Sequence, residues 1–320
     1  LEIENRKLLI FAHRINLLYL LRMFRPPYLQ PGDQVALVSP AGSIDSSYIA
    51  AAADLLRSWD LCPVIGPHAT AVHGYFAGTD EQRMEDMQWA MDTEDIRAIF
   101  CTRGGYGSMR IVEQLDYSIF QGSPKWLIGF SDITVFHSKL NTLGIESLHA
   151  PMPKSFGTTH PDAMQRLHDF LFGKVTHYCL PGHPFNREGA VQAELTGGNL
   201  TLLHCIRSTS LECKHQSPIL FIEDVGENLY SIDRMAQSLR LSERFERLQG
   251  LIVGTFSEMK GLNFGKTAEE IIHEVIDDYT YPVSFGFPAG HVTDNYPLIM
   301  GSTIEMIVTS KETVIRFEND

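Results

Sequence analysis

From about residue 27 onward, short apolar runs alternate with longer stretches whose apolar positions recur at helical spacing. After a turn at Pro31-Gly32-Asp33, Gln34 to Ser39 reads as a short buried strand, and Pro40-Ala41-Gly42 breaks it. Ser46 is then expected to cap a helix running through Ser58. "CPVIGPHA" reads as a second strand, and a helix starts at Thr79-Asp80-Glu81 and runs to about Asp92. The strand "IRAIFCTR" follows, and "GGYGSMRIVEQL" is expected to be a glycine turn leading into a helix. "KWLIGF" is the next strand and "DITVFHSKLNTLG" the next helix.

Strands alternating with helices of this length predict a parallel sheet covered on both faces. The expected fold is therefore α/β, with a flavodoxin-like, doubly wound parallel sheet in an N-terminal domain. Ligands of such sheets collect where loops leave the carboxyl ends of the strands. The loops carrying Ser39, Arg103 to Gly107 and Ser131 all lie at such ends.

The pattern weakens beyond Phe156. "GTTHPDAMQRLHDFLFG" reads as one helix and "LPGHPFNREG" as a linker, so 157–190 is assigned as a connection. A second, smaller mixed α/β domain is expected over 191–320. There "GAVQAELTGGNLTLLHCIRST" suggests a strand, a glycine turn and a helix, and "PILFIEDVGENLYSIDRMAQSLRL" repeats that order. "LQGLIVGTF" is a further buried strand, and "YPVSFGFPAGHVTDNYPLIMGSTIEMIV" reads as short strands separated by turns. The N-terminal domain covers 26–156. Residues 1–25 form an extension; "KLLIFAHRINLLYLLRMF" is interrupted by His13, Arg14 and Asn16, which suits an amphipathic appendage or a product of where the chain was started better than a membrane anchor. It lacks a small-residue cleavage site, so no secretory signal is expected.

Composition narrows the partners. With 26 basic and 39 acidic residues the net charge is −13, which argues against nucleic acid or an anionic membrane as the main partner. The five cysteines (Cys62, Cys101, Cys179, Cys205 and Cys213) show no zinc-site spacing, and their odd number speaks against a disulfide framework, so a reducing compartment fits better.

Three positions carry candidate chemistry. Ser131, in "LIGFSDIT", stands between a strand and a helix, where a hydroxyl can point into a cleft beside free helix amides. The same position suits a helix cap, with Ser131 or Asp132 accepting a backbone hydrogen bond, and the Gly-x-Ser-x-Gly pattern is missing. Glu223 and Asp224 end an apolar strand in "ILFIEDVGE"; a partly buried acid could orient a base, or could cap the next helix near Ser231. His291 lies in the turn-rich "FGFPAGHVTDNYP", where many histidines are simply exposed. Gly104, Gly105 and Gly107 let backbone amides approach an anion closely, without the spacing of a nucleotide loop.

Together, "IFCTRGGYGSMRIVEQLD", "LIGFSDIT", "LTGGNLTLL", "ILFIEDVGENLYSIDRM", "LIVGTFSE" and "FGFPAGHVTDNYPLIMGS" occur in the order seen in the LD-carboxypeptidases. The chain resembles that serine peptidase family, which also contains the microcin C self-immunity peptidases, over roughly residues 27 to 310. The resemblance implies a triad of Ser131 as nucleophile, Glu223 as acid and His291 as base, in a cleft between the domains. It implies an oxyanion hole of backbone amides from Gly105 and Asp132, with Gly104 as a neighbour, and places Asn199 near the pocket. Arg103 is a partner for a substrate carboxylate or for an internal salt bridge. The resemblance implies neither metal nor cofactor, a small peptide as substrate and a homodimer as the assembly. The substrate expected from the family is a cytoplasmic muropeptide tetrapeptide that loses its terminal D-alanine in peptidoglycan recycling. Cleavage of a peptidyl- or aminoacyl-nucleotide is the alternative; the short 157–190 stretch without Trp favours the muropeptide. A non-catalytic peptide or sugar binder is the reading from another class.

Overall fold

Two sheets form in the computed structural model, which describes residues 23–174, 177–213 and 217–318. The first contains β1 (Gln34–Val38), β2 (Cys62–Ile65), β3 (Ile96–Cys101), β4 (Trp126–Gly129) and β5 (Ser147–His149), all parallel, in the order β2-β1-β3-β4-β5. That order is the doubly wound, flavodoxin-like one. Every residue of β4 is buried, as a strand covered by helices on both faces requires. One face packs against Ile49, Ala53 and Leu56 of the helix Ser46–Ser58, and the other against Met87, Ala90 and Met91 of the helix Asp80–Asp92.

Helix starts follow capping chemistry. The helix Asp80–Asp92 begins at the expected place, with Thr79 and Gln82 forming a capping box. The helix Ser46–Ser58 is capped one residue earlier than expected: Asp45, not Ser46, accepts from the Ser47 amide at 2.8 Å. A carboxylate at that position does the work of the hydroxyl, and Ser46 becomes the first helical residue. The stretch after the glycine loop yields less helix than expected, one turn at Ser108–Ile111 and a 3₁₀ turn at Val112–Gln114.

The second sheet runs β10-β9-β8-β7-β12-β13-β6, comprising β6 (Tyr178–Pro181), β7 (Gly189–Asn199), β8 (Ile219–Val225), β9 (Gly250–Ser257), β10 (Val283–Phe285), β12 (Thr303–Val308) and β13 (Glu312–Phe317). Strands β7 to β10 are parallel and β12, β13 and β6 antiparallel. The glycine turn expected at Gly197-Gly198 is absent: β7 runs straight through both. Their φ values are +133° and +135°, and a Cβ on Gly198 would lie 2.5 Å from Oγ1 of Thr134. Gly198 lets the strand pass against the start of the helix Thr134–Thr142, and Gly197 lets it pass against the Phe221 backbone of β8, which no side chain permits.

The 157–190 stretch, assigned as a connection, holds the helix Pro161–Leu171 and β6, and its Leu167, Phe170 and Tyr178 join the apolar cluster shared by both sheets. Strand β11 (Leu298–Met300), from the C-terminal half, pairs antiparallel with β5 and so extends the first sheet. Of the expected N-terminal extension, residues 1–22 lie outside the described residues. Arg25 joins the fold, donating to Glu146 at 2.6 Å and to Ser302 at 2.9 Å. Among the described residues no helix is long and apolar enough to cross a membrane.

Candidate active site

Strand β4 ends at Gly129, and the chain turns sharply through Ser131, whose φ of +63° lies in the left-handed region. A non-glycine residue there is uncommon, and such strain concentrates at functional sites. A 3₁₀ turn, Ser131–Ile133, then leads into the helix Thr134–Thr142. No side-chain cap forms at either start. Ser131 is therefore not acting as the helix cap that its local sequence allowed.

Its hydroxyl has another partner. Ser131 Oγ lies 3.0 Å from Nε2 of His291, and Nδ1 of the same ring lies 2.9 Å from Oε2 of Glu223. With a neutral ring, Nδ1–H donates to the carboxylate and Nε2 accepts from the serine. Glu223 is wholly buried at the end of β8, whereas the His291 side chain keeps 22% exposure. Burial lowers the His291 pKa, but the hydrogen bond and charge of Glu223, with smaller contributions from Asp224 and Glu258, outweigh it and leave the imidazole above the ordinary histidine value.

Successive strand residues point to opposite faces, which separates the two neighbouring acids. Glu223 meets His291. Asp224 turns the other way and accepts from Asn199 Nδ2 and from the Thr201 amide and hydroxyl, each at 2.9 Å. Burial, then the charge of Glu223, pushes Asp224 up to about 6. Asn199 also caps the helix Leu200–Cys205, its Oδ1 accepting from the Leu202 amide at 3.2 Å. It is absent from the cleft lining; its work is to hold Asp224 and start a helix.

The glycine loop approaches the serine from β3. A Cβ on Gly104 would lie 3.0 Å from Ser131 Cβ and 3.3 Å from the Asp132 amide nitrogen. Gly105, at φ +103°, lines the same cleft. The loop and the first free amides of the 3₁₀ turn thus converge beside the hydroxyl. The Asp132 side chain, which the sequence offered as a helix cap, instead accepts from the Ser108 amide at 2.8 Å and ties the two turns together. Burial raises its pKa, against that hydrogen bond.

Glycine is also required beside the Glu223 carboxylate. Gly290 has φ +125°, and a Cβ there would stand 2.8 Å from Glu223 Oε2. Phe130 packs on the other side of the imidazole, ring centroids 4.9 Å apart. Behind it lies His149, fully buried and with no partner for either ring nitrogen among the described residues; burial holds its pKa well below the ordinary value.

These groups open into a cleft of about 680 Å³ between the sheets. Arg103 lines it, donates to the Ser43 carbonyl, and lies over the Tyr75 ring at 5.8 Å; no carboxylate among the described residues pairs with it. Two further charged residues that the sequence reading did not single out, Lys154 and Glu258, line the same space. They sit in irregular segments without a repeating pattern, so periodicity could not mark them.

A serine, a histidine and a buried acid in series, beside converging backbone amides, make a site suited to acyl transfer within a two-domain α/β fold. Residues 35–150 match the LD-carboxypeptidase N-terminal domain and residues 192–306 the LD-carboxypeptidase C-terminal domain. The chain belongs to the LD-carboxypeptidase family and is a peptidase. It is 33% identical to the murein tetrapeptide carboxypeptidase of Pseudomonas aeruginosa over 287 residues, 86% of this chain and 93% of that protein. The solved muramoyltetrapeptide carboxypeptidase of Oxalobacter formigenes superposes with a TM-score of 0.83 at 25% identity, covering 89% of this chain and 99% of the other. A mutant microcin C7 self-immunity protein in complex with adenosine monophosphate shares the fold at a TM-score of 0.81 and 22% identity, over 91% of this chain and 98% of that one.

Proposed function

We propose that this peptidase is a serine carboxypeptidase that releases the terminal D-alanine from muropeptide tetrapeptides. The observation that carries the reading is the unbroken series from Ser131 through His291 to Glu223, at 3.0 and 2.9 Å. Similarity to murein and muramoyltetrapeptide carboxypeptidases supports the substrate class.

In this reading His291 takes the Ser131 proton as the hydroxyl attacks the scissile carbonyl, and Glu223 steadies the imidazolium. The Gly105 and Asp132 amides receive the oxyanion; one such donor is typically worth about 3 to 4 kcal/mol in the transition state. His291 then protonates the leaving amine, and water repeats the sequence on the acyl-enzyme. All five cysteines are free, which supports action in a reducing, cytoplasmic compartment, where peptidoglycan fragments are recycled.

The test is to incubate the protein with a muropeptide tetrapeptide and weigh the products. D-Alanine release that survives EDTA and disappears in Ser131→Ala is the expected result. Turnover unchanged in Ser131→Ala refutes the triad. Cleavage of an aminoacyl-nucleotide but not the muropeptide replaces the substrate reading with the immunity one, and no cleavage of either replaces it with binding alone.

A further inference from the structure

The cleft is sorted by charge. On the wall formed by the first sheet, Arg103 follows β3 and Lys154 sits in the 3₁₀ turn Pro153–Ser155. On the wall formed by the second sheet, Glu258 directly follows β9. Ser131 and His291 lie between these walls. Neither Lys154 nor Glu258 has a side-chain hydrogen bond or ion pair among the described residues.

Two further observations show that these positions are held rather than incidental. The Lys154 amide donates to the Thr102 carbonyl at 3.0 Å, which fixes the lysine beside the β3 loop that carries Arg103. The two cations are close enough that, after burial, the charge of Arg103 is the next influence lowering the lysine's pKa. Glu258 has φ +53°, a left-handed conformation that a non-glycine residue adopts rarely. Ser131 shares that feature, and it too lines the cleft. Backbone strain of this kind persists only where the surrounding structure over-determines the conformation.

A carboxypeptidase substrate places a carboxylate one residue beyond the scissile carbonyl, on the leaving side. We propose that Lys154, together with Arg103, receives that terminal carboxylate, and that Glu258 receives a cationic side-chain amine on the acyl side. The cleft then selects peptides whose residue before the scissile bond carries a free amine and whose last residue carries a free acid. This rests on the carboxypeptidase reading above and deepens it by naming the residues that set specificity. It also gives the charge separation a purpose: two groups of one sign on the leaving side and one of the other sign on the acyl side fix the direction in which a peptide lies across Ser131.

The experiment uses three peptides: one ending in L-lysyl-D-alanine, the same peptide with a C-terminal amide, and the same peptide with norleucine in place of lysine. The kcat/KM of each is measured for the unaltered protein, Lys154→Met and Glu258→Gln. The unaltered protein is expected to prefer acid over amide and lysine over norleucine. Lys154→Met should shrink the first preference by about tenfold and leave the second, and Glu258→Gln should do the converse, as loss of one charge-assisted contact implies. Each preference is a ratio taken within one variant, so a general loss of folded protein cancels. The proposal is overturned if both preferences survive in both variants, or if each substitution weakens both equally. If the unaltered protein cleaves the muropeptide of the previous test but shows neither preference, the specificity proposal alone fails. If it cleaves no peptide, the carboxypeptidase reading fails and this one falls with it.

Discussion

Replacing Glu223 by glutamine keeps the shape of the acid and removes its charge. The side chain is wholly buried, and its Oε2 lies 2.9 Å from His291 Nδ1. Two unit charges at that separation, with an effective dielectric of about 20, attract by roughly 6 kcal/mol. The imidazolium formed as Ser131 attacks feels this attraction; the neutral ring of the resting site does not. Glutamine can still accept one hydrogen bond through its amide oxygen, so the Coulomb figure is a ceiling on the loss. Removing the charge of the orienting acid in a serine-histidine-acid site slows kcat by about 10⁴, close to that ceiling. We expect kcat for Glu223→Gln to fall by about 10³ to 10⁴, with a much smaller change in KM. The pH profile carries the second half of the test. A general base works unprotonated, so activity should rise with pH as His291 loses its proton, at a value above that of an ordinary histidine. In the variant the burial that lowers this pKa remains while the Glu223 contributions go, so the acidic limb should move to lower pH. D-Alanine release followed by mass across the acid-to-neutral range reads both quantities. A variant within about tenfold of the parent kcat and with an unmoved acidic limb refutes the role of Glu223.

Two other substitutions separate support from chemistry. Asn199→Ala removes a helix cap and a donor to Asp224, and should lower stability by about 1 to 2 kcal/mol, read as a fall in Tm, with KM unchanged; a raised KM at unchanged Tm would return Asn199 to the pocket. Gly290→Ala places a methyl against Glu223 Oε2, and should cost about 10² in kcat by displacing the acid from the imidazole; an unchanged kcat with the protein folded means that the loop relaxes freely.

The parallel sheet was legible because β1, β3 and β4 are near-continuous apolar runs, and such runs between amphipathic helices have few other readings. Ser131, Glu223 and His291 stand out only as a set, because each alone sits where a cap or an exposed loop residue would sit equally well. Which of Glu223 and Asp224 faces the histidine is a question of strand phase. The pairing of β8 with β9 shifts between Ile222 and Asp224, so alternation counted along the sequence would not settle it without the sheet. Gly197-Gly198 looked like a turn because the sequence shows missing side chains, not the strand and helix that press against them. Strand β11 is three residues long and its partner lies in the other half of the chain; nothing local announces such a pairing.

That short strand bears on how the site is held. His291 lies between β10, which belongs to the second sheet, and β11, which belongs to the first. The loop carrying His291 is therefore anchored to both sheets, and Ser131 stands on one of them while Glu223 stands on the other. Further bonds pin it. The Gly290 amide donates to Asn295 Oδ1 at 2.9 Å, and the Thr255 amide on β9 donates to the Ala289 carbonyl at 3.0 Å. The helix from the 157–190 stretch adds two more, the His160 amide donating to the Thr293 carbonyl at 2.8 Å and the Tyr296 hydroxyl donating to Asp162 at 2.7 Å. A triad split between two domains would lose its alignment if the domains moved independently. Here the segment that reads as a connection, together with a strand exchanged between sheets, fixes the base loop to both sides. Ser131, His291 and Glu223 keep hydrogen-bond distances across the cleft because His291 belongs structurally to neither domain alone.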